Sequence, residues 1–220
     1  VAALVTPAHA ARHEELTWRL LAELRWEAAR DFTLTEEMRV LIAAHGALLV
    51  LELDADWYRE VGSIIVHPTT MVLRGPRGGP VPGVMTDSPM PVLGQAQHGR
   101  SPVVIAWDAA RRDAAHPERG QNVVLHELAH KLDLLDGVLD GTPPQSDPAV
   151  LERWVQVCTA EYERVRSGGP SLLRDYAGTN PGEFFAVATE VFFCRPRELS
   201  ALHPALYGVL RDFYRQDPGA

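Results

Sequence analysis

Asn122-Val123-Val124-Leu125-His126-Glu127-Leu128-Ala129-His130-Lys131-Leu132-Asp133-Leu134-Leu135 is the stretch that decides the fold, and it contains H-E-x-x-H at 126–130. Its apolar residues recur at helical spacing, and Gly137 supplies a stop. A four-residue offset advances about 400° on a helix, so both imidazoles stand on one face, with Cβ atoms about 5–6 Å apart. That separation suits two Zn–N bonds of about 2.0–2.1 Å converging on one ion. Glu127, one position on, can lean over the same ion without ligating it and take a proton from a water held there. The same residues on a solvated helix would have no such meaning. Here Val123, Val124, Leu125, Leu128, Ala129, Leu132, Leu134 and Leu135 make the segment apolar almost all round, which predicts a buried helix whose ionisable groups need partners.

Two histidines leave zinc short of ligands, and a hydrolytic site usually takes a third from the protein while keeping a place for water. Downstream, Glu183 and Glu190 are the acidic candidates. Seven residues apart, they share a helical face about 10 Å apart along the axis, so only one of them can reach the ion. The other would orient a ligand from behind. Asn180-Pro181-Gly182-Glu183 also fits N-cap to N3, where a Glu can simply close a capping box. Asp133 lies on nearly the same face as His126, about 10 Å further along, and is placed to fix a neighbouring group or cap the helix. Cys194 lies eleven residues past Glu183, too far to join the same tetrahedron, and Cys158 has no ligand-like spacing.

Outward from this stretch, the pattern is helical with a short β interlude. Residues 11–30 carry Leu16, Trp18, Leu20, Leu21 and Leu24 on an amphipathic helical pattern, within which His13-Glu14-Glu15-Leu16-Thr17 opens like the zinc motif but reads as surface. Thr33-x-x-Glu36 reads as a capping box opening a second helix through about Leu51, with His45 as a core or surface histidine rather than a ligand. Ser63–Val66 and Thr70–Leu73 read as short strands. Residues 74–101 read as a long Gly- and Pro-rich loop with at most brief strand, able to cover a cleft. Pro102–Trp107 is the best strand, expected beside the zinc helix with 108–121 as a connection; its Val103, Val104, Ile105 and Ala106 could offer an edge to an extended substrate. A helix is predicted from Asp147-Pro148 to about Arg166, stopped at Gly168-Gly169-Pro170. Another runs from Asn180-Pro181 to Pro196, and a last one from Leu199 to Tyr214.

A chain of 220 residues, 46% hydrophobic and 23% charged, can bury a sizeable core as one unit. We expect a single domain over 1–220, residues 1–55 forming a helical part packed on the catalytic part 56–220. The net charge of −8, without a Lys/Arg stripe, argues against nucleic acid as a partner. No apolar run approaches the roughly 18 residues that cross a bilayer, and the opening decapeptide lacks the basic and apolar regions of a secretory leader. Two cysteines imply no disulfide framework and fit a reducing, cytoplasmic setting.

Three segments carry a family resemblance: residues 122–133, Tyr-Ala-Gly-Thr-Asn-Pro-Gly-Glu-Phe-Phe-Ala-Val-Ala-Thr-Glu-Val-Phe-Phe at 176–193, and Phe-Tyr-Arg-Gln-Asp-Pro at 213–218. From about residue 34 to the C-terminus the chain resembles the Mlc titration factor A family of zinc peptidases. Its Tyr-x6-Glu-Phe-Phe-Ala segment is also similar to the catalytic domain of anthrax lethal factor, a metallopeptidase with a glutamate as third ligand. The resemblance implies His126, His130 and Glu183 as zinc ligands, Glu127 as general base and Tyr176 as the tyrosine that helps at the reacting carbonyl. It implies a zincin-like, gluzincin-type fold: α+β, helix-rich, with a small sheet beside the H-E-x-x-H helix. Gly94-Gln95-Ala96-Gln97 departs from the Gly-Glu-Ser-Trp-like segment expected before the strand, which affects the substrate rim more than the metal.

The leading expectation is a zinc peptidase acting on peptides, with aminopeptidase-like activity on short ones implied by the resemblance. Its rival is a binding module with a structural or vestigial zinc that sequesters a transcriptional repressor, the second role the family's namesake implies. A zinc hydrolase for a non-peptide amide is a third.

Overall fold

A computed structural model describes residues 4–5, 7–29, 31–53, 58, 61–69, 77–78, 85–86 and 101–220. In chain order the elements are α1 (Ala10–Glu23), β1 (Trp26–Ala28), α2 (Glu36–Leu49), β2 (Val61–His67), β3 (Arg77–Gly78), β4 (Met85–Thr86) and β5 (Ser101–Ala106). They continue with α3 (Trp107–Ala115), α4 (Val123–Asp133), α5 (Pro148–Arg166), α6 (Pro181–Cys194), α7 (Pro196–Leu202) and α8 (Pro204–Tyr214). The class is α+β, with helices dominant and a small parallel sheet in the order β1-β2-β5. Ile64 of β2 pairs with Trp26 on one side and Val103 on the other, so among the described residues β5 forms a sheet edge. No helix among the described residues is long and apolar enough to cross a membrane.

The sheet lies beside α4, tied to it by Lys131, whose buried ammonium donates to Ser101 O at 3.0 Å and to the Ser101 hydroxyl. On the other side α6 is buried along almost its whole length, from Gly182 to Phe193. A helix apolar all round belongs in a protein's centre. Phe185 meets Trp154 of α5 and Phe213 of α8 edge to face, with ring centroids 5.7 and 6.0 Å away. Such pairs add about 0.5–1.5 kcal/mol each beyond the area they bury.

Local pattern misjudges several boundaries, each for an identifiable reason. The helix predicted over 11–30 ends at Glu23, because Trp26–Ala28 pair with Ile64–Val66 and the ladder overrides helical propensity. His13 to Thr17 is not all surface: Leu16 and Thr17 are buried against the core. The cap of α2 is Thr35 rather than Thr33. Thr35 Oγ1 accepts from Met38 N at 3.3 Å, leaving Glu36 and Glu37 in the first turn, where the helix dipole favours them. Residues 108–121 hold a helix, α3, in which Ala109, Ala110, Ala114 and Ala115 are strong helix formers. The tail forms two helices, because Pro204 has no N–H and breaks the pattern at His203. His45 is a core histidine, its Nδ1 2.8 Å from Leu41 O, and burial pushes it down to about 4. The strand expected at 70–73 and the departure at 94–97 lie outside the described residues, as does most of 74–101, of which β3 and β4 form a short antiparallel pair.

Candidate metal centre

The start of α4 is held by three separate acceptors. Asn122 Oδ1 takes the amides of Val124 and Leu125, both at 3.1 Å, and Asp113 Oδ2 of α3 takes that of Val123 at 3.1 Å. Glu190 Oε2 of α6 takes the amide of Asn122 at 2.7 Å. These bonds satisfy the orphan donors of a helix N-terminus and lock α4 against both neighbours. The start of α6 is equally defined: Asn180 Oδ1 caps it by accepting from Glu183 N at 2.9 Å. The Glu183 side chain does not close a capping box but turns toward α4.

His126, His130 and Glu183 form a buried cluster of potential metal-holding groups. His126 Nε2 lies 3.0 Å from Glu183 Oε2 and 3.3 Å from His130 Nε2, and His130 Nε2 lies 3.5 Å from Glu183 Oε2. Three donors each about 2.0–2.2 Å from one ion at tetrahedral angles stand about 3.3–3.6 Å apart, so two sides of the triangle match one face of such a site and the His126–Glu183 side, at 3.0 Å, is shorter. Although 3.0 Å from an imidazole nitrogen, Glu183 Oε2 has no aligned hydrogen bond, and His130 Nδ1 has no partner among the described residues. Electron-pair donors this close repel one another unless positive charge sits among them.

Electrostatics point the same way. Burial opposes charge on His126, but Glu183 and Glu190 outweigh it and push the imidazole up to about 10. Burial likewise opposes charge on Glu183, yet the two imidazoles hold its carboxyl well below the usual range. The pocket stabilises a cation, and a proton or a metal ion can supply it. A two-nitrogen, one-oxygen set fits zinc.

Around this triangle, Glu190 lies behind His126, Oε1 standing 2.7 Å from Nδ1, and Arg174 Nη2 donates to the same oxygen at 2.7 Å. With burial outweighed by these partners, Glu190 is held below its ordinary value. Glu127, on the neighbouring face, is raised above the usual glutamate value, chiefly by burial. Tyr176 sits in a short 3-10 turn just before α6, its ring 6.1 Å from that of His126 and its phenol facing the Glu183 carboxylate. Burial and the Glu183 and Glu127 carboxylates raise its phenol, so it stays protonated. Asp133 is further away: its Oδ2 accepts from Gly141 N at 2.9 Å, fixing the loop after α4. In β5, Val103 and Ile105 point into the core, while Val104 and Ala106 are partly exposed.

Sequence reasoning missed Arg174, Asn122 and Asp113, which orient the cluster from outside it. Only the N-cap position of Asn122 was visible in the pattern. It also missed Gly141, whose φ of +78° and close approach to Pro181 O bring the α4–α5 loop onto the first turn of α6.

Comparison with known proteins bears on this geometry. The family model for glucose-regulated metallo-peptidase M90 matches residues 1–215. An uncharacterized protein of Synechocystis sp. is 33% identical over 205 residues, spanning 90% of this chain and 73% of its own. Proteins named Mlc titration factor A are 31% identical: that of Edwardsiella ictaluri over 210 residues (92% of this chain, 78% of the relative) and that of Yersinia pestis over 207 (91% and 75%).

Proposed function

Because the chain belongs to the glucose-regulated metallo-peptidase M90 family, we propose that it is a zinc-dependent peptidase of gluzincin type, with aminopeptidase-like action on short peptides in the cytoplasm. The observation that carries this reading is the triangle of His126 Nε2, His130 Nε2 and Glu183 Oε2, with sides of 3.0, 3.3 and 3.5 Å. These three residues would hold the ion, which when bound acidifies water and polarises a carbonyl.

The remaining work falls to the chain's own groups. Glu127 accepts the proton of the attacking water, a task its raised pKa suits, and passes it to the leaving amine nitrogen. Tyr176, still protonated, donates to the carbonyl oxygen as negative charge develops there, worth about 2.7–4 kcal/mol if it behaves like other oxyanion donors. Glu190, held by Arg174 and Asn122, keeps His126 in one tautomer and orientation. Asp133 acts at a distance by fixing the loop that abuts α6. The edge at Val103, Val104, Ile105 and Ala106 takes the extended substrate as an added strand. Residues 1–220 act as one metallopeptidase domain.

The test is metal content and turnover together. Glu127→Gln is expected to retain the ion and lose at least about 10²-fold in turnover of short peptides; cleavage at the wild-type rate would refute the assignment.

A second reading has one observation in its favour, the name Mlc titration factor A carried by relatives. On that reading this chain sequesters a transcriptional repressor and its zinc is structural or vestigial. Capture of a repressor protein that survives metal removal, with no peptidase activity, would favour it.

A further inference from the structure

One wall of the cleft takes no part in the chemistry above. A cavity of about 250 Å³ is lined by His126, Glu127 and Tyr176 together with Ala109, Arg112 and Gln121. Arg112 is on α3. Its Nε donates to Asp113 Oδ1 at 3.2 Å, and the other Asp113 oxygen accepts the Val123 amide at the start of α4. Asp113 is buried. The guanidinium is therefore tied through its inner nitrogen to the same frame that positions His126 and Glu127.

Nη1 and Nη2 of Arg112 make no hydrogen bond among the described residues, and the side chain remains 48% exposed. The partly buried Gln121 beside it also uses its side-chain amide for no hydrogen bond among the described residues. An arginine with a free fork on an outer surface would mean nothing, but this one borders the cavity of the candidate base. A planar fork pre-oriented through Nε is suited to accept a carboxylate in two parallel charge-assisted bonds. Within the same cavity Glu190 is already paired with His126 and Arg174, and Asp113 with Arg112. Among the described residues Glu127 is left as the unpaired carboxylate of the cavity, and Arg112, which faces Asp113 through Nε, meets an incoming anion through its outer nitrogens.

The geometry points to Arg112, assisted by Gln121, as a specificity-determining residue that receives a carboxylate of the peptide substrate. This rests on the peptidase reading and narrows its substrate class. Arg112 lines the same cavity as Glu127 and Tyr176, so a carboxylate held there lies near the scissile bond. It comes either from the free C-terminus of a very short peptide or from an acidic side chain next to that bond.

The experiment compares leucyl-glycine, leucyl-glycinamide and leucyl-glutamate 1-amide on the metal-loaded wild type, Arg112→Gln and Arg112→Lys. Wild type is expected to favour a carboxylate-bearing peptide over the neutral amide at least tenfold in kcat/KM, mostly through KM. Which of the two acids is favoured identifies the source. In Arg112→Gln the ratio falls to within about threefold of unity, and Arg112→Lys, which keeps the charge and loses the fork, lies between. Equal cleavage of all three by wild type, or a preference that survives Arg112→Gln, overturns the role of Arg112 and leaves the peptidase reading standing. Calorimetric binding of N-acetylleucine and N-acetylleucinamide to the metal-free protein separates the two failures. If no peptide is cleaved, tenfold tighter binding of the acid that vanishes in Arg112→Gln still supports the carboxylate site, whereas equal binding overturns it.

Discussion

His126 and Glu190 join α4 to α6: Nδ1 of the histidine stands 2.7 Å from Oε1 of the glutamate, whose other oxygen accepts the amide of Asn122. One buried carboxylate thus orients an imidazole and caps the helix that carries it. Glu190→Gln keeps the shape and removes the charge. Metal affinity is expected to fall about 10–100-fold, as when such outer partners are lost elsewhere. Competition with a chelator of known affinity measures it, and an unchanged dissociation constant contradicts the orienting role.

Removing the ion should destabilise the fold, because the cluster then holds uncompensated donors in a buried place. At a free zinc concentration 1,000 times the dissociation constant, binding adds about 4 kcal/mol to stability. With His126 pushed up to about 10, a proton competes with the ion throughout the neutral range. Zinc affinity should therefore weaken as pH falls from 8 to 6. Thermal melts with and without zinc at both pH values check this, and a zinc-induced rise in Tm that does not shrink at pH 6 contradicts it.

Asp133 is fully buried, and burial raises its carboxyl to about 7 against the opposing bond from Gly141, with Asp140 and Asp136 adding to the rise. The folded state then holds a proton that the unfolded state has released between about pH 4 and 7. Stability from this group is present below pH 4 and is lost as pH rises through 7. Asp133→Asn keeps an acceptor for Gly141 without the charge. Between pH 5 and 8 wild type should lose up to about 3 kcal/mol relative to the variant, since each pH unit below 7 across which only the folded state keeps the proton is worth about 1.4 kcal/mol. Urea unfolding at the two pH values measures the difference; parallel behaviour of the two proteins is the opposing outcome.

Gly141 adopts φ +78°, and a Cβ there would lie 2.3 Å from Pro181 O, two residues before Glu183. Gly141→Ala combines left-handed strain with a collision against backbone. It is expected to cost about 2–4 kcal/mol and to loosen metal binding by displacing the first turn of α6. Denaturant midpoints and zinc affinity report the two effects, and wild-type values for both would show that the loop does not position α6.

Much of the fold can be read in short patterns. The starts of α5 and α6 follow from Asp147-Pro148 and Asn180-Pro181, where a side-chain cap and a proline that needs no N–H act within four residues. Trp26–Ala28 could not be read this way, since its pattern continues that of α1 and only the presence of β2 makes it a strand. Arg112, Asp113 and Arg174 also escaped notice, because a single charged residue acquires meaning only from what stands opposite it.

Helical periodicity by itself determined that His126 and His130 share one face, that Glu127 stands beside it, and that this helix is buried, all consequences of 3.6 residues per turn and apolar spacing. It could not distinguish Glu183 from Glu190, which lie on one face of α6 at equal chemical merit. The packing of α4 against α6 gives them different places. It brings Glu183 to the Nε2 atoms and Glu190 to Nδ1, because the two nitrogens of an imidazole face in different directions and each meets a different turn of the neighbouring helix.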